Sequence, residues 1–414
     1  MHTRRSFLKD FTLSAVLVNW STRLDIFKRK TQSSSTIDWE MVRGQFPIST
    51  WEKTHFNSGS AGVMPTPISE YLIDLIQYVN SKAPYQVWNE WQVIKKDNME
   101  RLSKLIHCDP NSLQIVRNTT EALNMIIYGL PLSQGDEVIL CEHDYPFAKN
   151  AWLNRQTRDR IKLKIIEYDL PASDEEVLTA YANAIGPSTK VIHITHMTHR
   201  QGHIMPVQQI VELAHEKGIE VVVDGAHAVG QIHVDLRKIG CDYFASSLHK
   251  WLNAPLGTGL LYIHPDKISS LMNHPSSNVD TFDRIDKYEH LGTRCWANEI
   301  CIGAALDLHE EIGPQFKLDR LQELKRYWTS QVERIPNVTL YTLIDNQHSA
   351  AVATFGITNM GGGKIVKRLD QEFNIHAKSV GGRWGSGVRI SVNIFTSKEE
   401  LDTLVKAIKY IAAA

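Results

Sequence analysis

Three short stretches of this 414-residue chain place reactive side-chain types beside residues able to tune them. The densest is Ser246-Ser247-Leu248-His249-Lys250-Trp251, followed by Gly257-Thr258-Gly259. An amine in such apolar, aromatic surroundings loses hydration, which lowers its pKa, and a neutral amine attacks an aldehyde to form an imine. Standing alone, this segment would be better explained as a loop carrying a surface lysine. The second stretch is Val221-Val222-Val223-Asp224-Gly225-Ala226-His227. An ionised Asp at a strand end can keep a pyridine nitrogen protonated and so turn the ring into an electron sink. An isolated Asp there is more often a helix cap or an ion-pair partner, and a lone His such as His227 is more often structural. The third is Arg117-Asn118-Thr119-Thr120-Glu121. A helix N-terminus presents unpaired N–H groups and the positive end of its dipole, so this turn can hold a phosphate. The same residue types are also ordinary caps.

These groups can cooperate only if the fold gathers them. From about residue 112 the sequence alternates short β-rich runs with helical patterns. Asn118, with Glu121 three residues on, begins a helix that Gly129 can close. Glu137 to Cys141, Lys162 to Tyr168 and Lys190 to Thr195 read as buried strands. Val207 to Lys217 reads as a helix, Ile219 to Val223 as a strand ending at Asp224, and Asp242 to Ser246 and Thr258 to Ile263 as strands flanking Lys250. Such alternation predicts an α/β fold with a mainly parallel sheet covered on both faces, whose ligands sit beyond the carboxyl ends of the strands. Asp224 and the residues just before Lys250 fall at such ends. After Ile300 the pattern shifts to long helices and scattered strands. The expected division is therefore residues 1–36 as signal and linker, 37–60 packing with a small domain, 61–299 as the large domain and 300–414 as the small one.

The three stretches occur in the order phosphate turn, ring-nitrogen Asp, imine Lys. With the matches VVVDGAHAVGQIHVDL, SSLHKWLNAPLGTGLLY and HLGTR, this arrangement resembles the class V aminotransferase group of fold-type-I pyridoxal-phosphate (PLP) enzymes, over roughly residues 38 to 410. That group includes cysteine desulfurases and isopenicillin N epimerase, and the epimerase-like branch is the nearer match. The resemblance implies a seven-stranded large domain, a smaller α+β domain, PLP as cofactor and a Schiff base on Lys250. It implies that Asp224 pairs with the ring nitrogen, that Thr119, Thr120, Ser247 and His249 hold the phosphate, and that His227 contacts the ring hydroxyl. His143 matches the ring-stacking histidine and a catalytic acid/base, with Tyr145 as its rival; His199 lies where desulfurases tend to carry Asn. Arg389 matches the arginine that grips the substrate carboxylate in a bidentate fork, with Asn57 and Ser60 lining the same pocket. Thr293 resembles a residue reaching a phosphate across a dimer interface, which implies a homodimer with composite sites.

One departure narrows the chemistry. Desulfurases carry a mobile-loop cysteine that takes up sulfur, and the matching stretch Lys378 to Val388 contains no Cys. Arg383 and Trp384 stand there as candidate contacts for a substrate tail. Cys295 also replaces an acid common after the GTR motif. The expected function is an epimerase or racemase acting at the Cα of an amino acid, with a C–S lyase or an aminotransferase as alternatives.

Composition adds exclusions. The formal net charge of −1 gives no electrostatic reason to expect nucleic acid or an anionic membrane as partner. Five scattered cysteines without CxxC spacing argue against a disulfide framework or a metal centre. No stretch approaches the ~20 apolar residues needed to span a bilayer. Thr3-Arg4-Arg5-Ser6-Phe7-Leu8-Lys9 resembles a twin-arginine export signal, so a periplasmic or exported location is expected, with the cytoplasm as alternative.

Overall fold

A computed structural model of the protein describes residues 37–277, 279–290 and 292–414, so the twin-arginine reading falls outside the described residues. After a short strand β1 (Thr54–His55) and two helices, Thr66–Ser81 and Pro84–Leu105, the chain builds one seven-stranded sheet. Its strands are β2 (Leu113–Val116), β3 (Glu137–Cys141), β4 (Lys162–Ile166), β5 (Thr189–Thr195), β6 (Glu220–Asp224), β7 (Tyr243–Ser247) and β8 (Gly259–Ile263). They lie in the order β2-β8-β7-β6-β5-β3-β4. Neighbours from β7 to β4 run parallel, whereas β8 is antiparallel to both β7 and β2. The mainly parallel α/β fold expected from the sequence is therefore present.

The continuous Val/Ile runs of β5 and β6 follow from burial on both faces. Along β6, Val221 and Val223 enter one apolar cluster and Val222 enters the other, as the two-residue side-chain period requires. β4 corrects the sequence reading. It is an edge strand with Lys162, Lys164 and Ile165 exposed, and it ends at Ile166 rather than Tyr168. Its lysines fit there because an edge strand needs charge to discourage further pairing. The helix after residue 206 is Val207–His215, ending two residues sooner than the pattern suggested.

Beyond the sheet come two long helices, Trp296–Ile312 and Pro314–Val332, then β9 (Val338–Leu340), β10 (Val352–Ile357), helix Gly362–Phe373, β11 (Ile375–His376), β12 (Lys378–Gly382), β13 (Gly385–Ser391) and helix Lys398–Ala412. β12-β13-β10-β9 form an antiparallel sheet. Residue 300 lies inside helix Trp296–Ile312, whose neighbours include the helices Thr66–Ser81 and Pro84–Leu105. The N-terminal segment is tied to the C-terminal elements: β1 pairs in parallel with β11, Arg43 forms a fork onto Glu400 at 2.9 Å, and Phe46 packs on Phe395. Among the described residues no helix is long and apolar enough to cross a membrane.

Candidate active site

The carboxyl ends of β5, β6 and β7 open onto a cavity of about 250 Å³. Its lining includes Thr119, Thr120, Asp224, His227, Ser247, His249 and Lys250, so the three chemically suggestive stretches converge on one place.

The phosphate turn is built first. Asn118 caps helix Thr119–Gly129 by accepting from Glu121 N at 2.9 Å, while the Glu121 side chain reaches back to Arg117 N at 2.6 Å. The helix dipole and the first-turn amides are thereby aimed at the cavity. Thr119 Oγ1 and Ser247 Oγ lie 2.7 Å apart, joining this turn to the end of β7. Gly259 permits the join: a Cβ there would lie 2.7 Å from Asn118 Cα.

Asp224, at the end of β6, is 2 % exposed and accepts from Ala226 N at 3.0 Å. Burial pushes its carboxyl pKa up, and nearby His193 and Lys250 pull it back. Lys250 sits on the one-turn helix Leu248–Trp251 that follows β7. Burial lowers its amine to about 8, against the attraction of Asp224 and with a further push from Arg389. Its Nζ lies 3.2 Å from His227 Nε2. His249 has its Nδ1 3.0 Å from the Thr258 carbonyl.

Behind His199 and Ser60, Arg389 of β13 is 4 % exposed. Its guanidinium donates to the His199 carbonyl and Asn57 Oδ1 at 2.8 Å and to Ser60 Oγ at 2.9 Å. Gly59 makes room for it, since a Cβ there would sit 3.2 Å from Arg389 Cζ. Ser60 and His199 line the cavity, whereas Asn57 stands behind and orients the arginine.

Four expected residues are not in the cavity lining: Arg389 and Asn57 stand just behind Ser60 and His199, and His143 and Thr293 lie elsewhere. His143 is not in the cavity wall: its Nε2 lies 2.8 Å from the Tyr168 carbonyl and its ring meets Tyr168 edge-on. Asp144 explains the turn, because its carboxylate accepts from Cys141 N, Thr195 N and Thr195 Oγ1. That pins the backbone so that Tyr145, two residues past His143, faces the cavity. Tyr145 meets His199 edge-on, with ring centroids 5.2 Å apart. Thr293 is exposed and outside its own chain's cavity. The sequence reading also missed Asn124, Phe147 and Thr195 in the lining; Phe147 follows Tyr145-Pro146, a turn signal that could have flagged it.

The hairpin β12–β13 holds Arg383 and Trp384 at its tip. Arg383 bonds Glu167 at 2.5 Å, and Trp384 packs on Tyr341 at 4.3 Å. Of the cysteines, Cys108, Cys141, Cys241 and Cys301 are buried and Cys295 is exposed. No group of three potential metal ligands occurs among the described residues.

The residues fit PLP: a buried acid for a ring nitrogen, a desolvated lysine for an aldehyde and a helix N-terminus with two hydroxyls for a phosphate share one cavity. Comparison with known proteins agrees. The chain is 28 % identical over 389 residues to isopenicillin N epimerase of Streptomyces clavuligerus, covering 90 % of this chain and 98 % of that protein. It is 24 % identical to a probable cysteine desulfurase of Methanothermobacter thermautotrophicus, covering 90 % and 98 %. Its fold matches that of C-DES carrying glycine covalently linked to its PLP cofactor, with a TM-score of 0.81 at 22 % identity over 90 % of this chain and 99 % of that one. The aminotransferase class-V profile matches residues 66–404, and the chain belongs to that family of PLP-dependent enzymes.

Proposed function

We propose that the protein is an amino-acid epimerase or racemase that uses Lys250 and Tyr145 as its two acid/base groups. The observation that carries this reading is the pairing of a desolvated Lys250 amine with a Tyr145 phenol in one cavity, in a chain whose β12–β13 hairpin has no cysteine. PLP would supply the sink for negative charge at the substrate Cα. Thr119, Thr120, Ser247 and His249 would hold its phosphate, Asp224 its ring nitrogen and His227 its ring hydroxyl. Arg389 binds the substrate carboxylate, and its three existing acceptors fix the guanidinium plane before substrate arrives. Lys250, neutral above pH of about 8, takes the Cα proton. Tyr145 then returns a proton from its own side, which inverts the centre. The similarity to isopenicillin N epimerase supports this outcome over the others.

The test is a spectrum of purified protein before and after borohydride with peptide mapping, followed by a panel of amino acids in deuterium oxide. The expected result is a yellow protein labelled at Lys250, with Cα deuteration and loss of optical rotation. Release of sulfide or of a keto acid without racemisation would replace the epimerase by a C–S lyase or an aminotransferase. A colourless protein that takes up no PLP would remove the whole reading.

We further propose a homodimer, supported by Thr293 and by the exposed apolar side chains Phe147 and Leu256, each 62 % exposed. Light scattering giving a monomer mass would overturn it. Export rests on the Thr3–Lys9 motif alone; a fusion of residues 1–40 to a reporter that stays cytoplasmic would reject it.

A further inference from the structure

His227 is gripped at both ring nitrogens by two consecutive residues of one helical turn. Lys250 Nζ lies 3.2 Å from Nε2, and Trp251 Nε1 lies 3.3 Å from Nδ1. The helix Leu248–Trp251 turns about 100° per residue, so it sends Lys250 into the cavity and Trp251 into the core beneath His227. Trp251 is fully buried, and its carbonyl accepts from the buried Lys317 Nζ, so the indole has little freedom to move.

An indole nitrogen can only donate. The Nδ1 atom it meets must therefore be an acceptor, which leaves the proton of a neutral imidazole on Nε2. We propose that Trp251 is a positioning residue that locks His227 in the Nε2–H tautomer, so that the cavity meets a donor at this point rather than an acceptor. The consequence for Lys250 follows from counting hydrogens. A neutral amine can accept from Nε2–H, whereas an ammonium would face it hydrogen to hydrogen. The Trp251–His227 bond thus opposes protonation of Lys250, in the same direction as burial. The other titratable groups facing Lys250 are Asp224, which favours the ammonium, Arg389, which opposes it, and the buried imidazoles of His199 and His249; His227 itself also faces Arg389 and His199. Any anionic atom placed beside Nε2 after cofactor loading would receive the same fixed donor.

This inference rests on Lys250 being the reactive amine, and the test separates the two ideas. The full-length protein stripped of cofactor is labelled with an amine-directed acylating reagent across a pH series, and labelling of Lys250 is followed by peptide mapping. Wild-type protein is expected to show a midpoint near 8. Trp251→Phe frees His227 to move its proton to Nδ1 and offer Nε2 to an ammonium. The midpoint should then rise by about one pH unit, which is roughly a tenfold slower labelling at pH 7. Replacing the Trp251 indole by a benzothiophene, which keeps the shape and removes the donor, should give the same shift without the packing loss. In a His227→Phe background the Trp251→Phe shift should vanish, because no ring nitrogen is left for Trp251 to set. Histidine ¹⁵N spectra provide a second reading, with the His227 signal assigned by its loss in His227→Gln and showing Nε2–H in the wild type only.

An unchanged midpoint in both the Phe and the benzothiophene proteins, each with a native melting curve, would overturn the proposal. So would a shift that persists in the His227→Phe background, since Trp251 would then act through packing alone. Borohydride mapping of the wild-type holoenzyme to a residue other than Lys250 would instead remove the functional reading on which it stands.

Discussion

Histidines illustrate how single contacts decide chemistry in this cavity. His227 and His249 both line the cavity, yet their outer partners are opposite: an indole donor for His227 and a carbonyl acceptor for His249. The Thr258 carbonyl requires a proton on His249 Nδ1. A neutral His249 therefore shows the cavity only a lone pair, and burial keeps it neutral by lowering its pKa. A phosphate oxygen needs a donor at that point, so anion binding should draw a proton onto His249 Nε2. Inorganic phosphate should accordingly bind the cofactor-free protein more weakly as pH rises, by up to about tenfold per unit. Calorimetry in two buffers of different ionisation heat should show proton uptake, and His249→Gln, which cannot take up a proton, should abolish that part. Equal heats in both buffers would refute it. Arg389 makes a second residue-scale case. Lysine is a point donor and cannot reproduce a planar fork held by His199 O, Asn57 Oδ1 and Ser60 Oγ. Arg389→Lys should lower kcat/KM about 10- to 100-fold, mostly through KM, about 1.4–2.8 kcal/mol. A change confined to kcat would mean that this guanidinium does not hold the substrate carboxylate.

At the scale of elements, the phosphate turn is the point where sequence and geometry meet most directly. Asn118 in extended backbone accepts from Glu121 N, and its loss leaves an amide of the first turn unpaired. Asn118→Ala should cost about 1 kcal/mol of stability and weaken PLP retention, read by denaturation midpoint and by dialysis; Asn118→Asp should restore the cap. Stability unchanged in the Ala variant would show that packing alone holds this helix. The cap, the buried strands β3, β5 and β6, and the meeting of Asp224 with Lys250 were all legible in the sequence, because each is written in local terms: a cap residue, a Val/Ile run, a strand end. What was not legible depended on contacts distant in sequence. β4 carries the same apolar fraction as a buried strand, and only its place at the sheet edge exposes Lys162 and Lys164. His143 and Tyr145 are two residues apart, and which of them faces the cavity is decided by Asp144 bonding Thr195 on β5. Trp251 was visible as part of a motif but had no role until the fold placed His227 above it.

The whole molecule carries one property that no single residue reveals, namely how many imidazoles it keeps neutral. Burial lowers His55, His143, His193, His196 and His203 to about 4, from an ordinary value of 6.5. Both ring nitrogens of His193 and of His203 lack hydrogen-bond partners, so protonation would place a cation without hydrogen bonds in the interior. The sign follows from proton counting. Between pH 6.5 and 4 the unfolded chain binds protons that the folded one refuses, so stability is intact above 6.5 and is lost as pH falls toward 4. Asp144, Asp224 and Glu142 act in the opposite sense, because burial raises their carboxyls, Asp144 to about 6, and they offset part of the loss. Burial also lowers His199, His227, His249 and His309, so nine imidazoles against three carboxyls leave the histidines in control, each working against folding by up to about 1.4 kcal/mol per pH unit. Urea denaturation should therefore give a stability at least about 2 kcal/mol lower at pH 5 than at pH 6.5. His193→Phe should shrink this difference, since its ring meets Trp152 edge-on and donates no hydrogen bond that would be lost. Flat stability across that window would mean that these imidazoles find partners on protonation, and that the interior opens to admit charge well before the molecule unfolds.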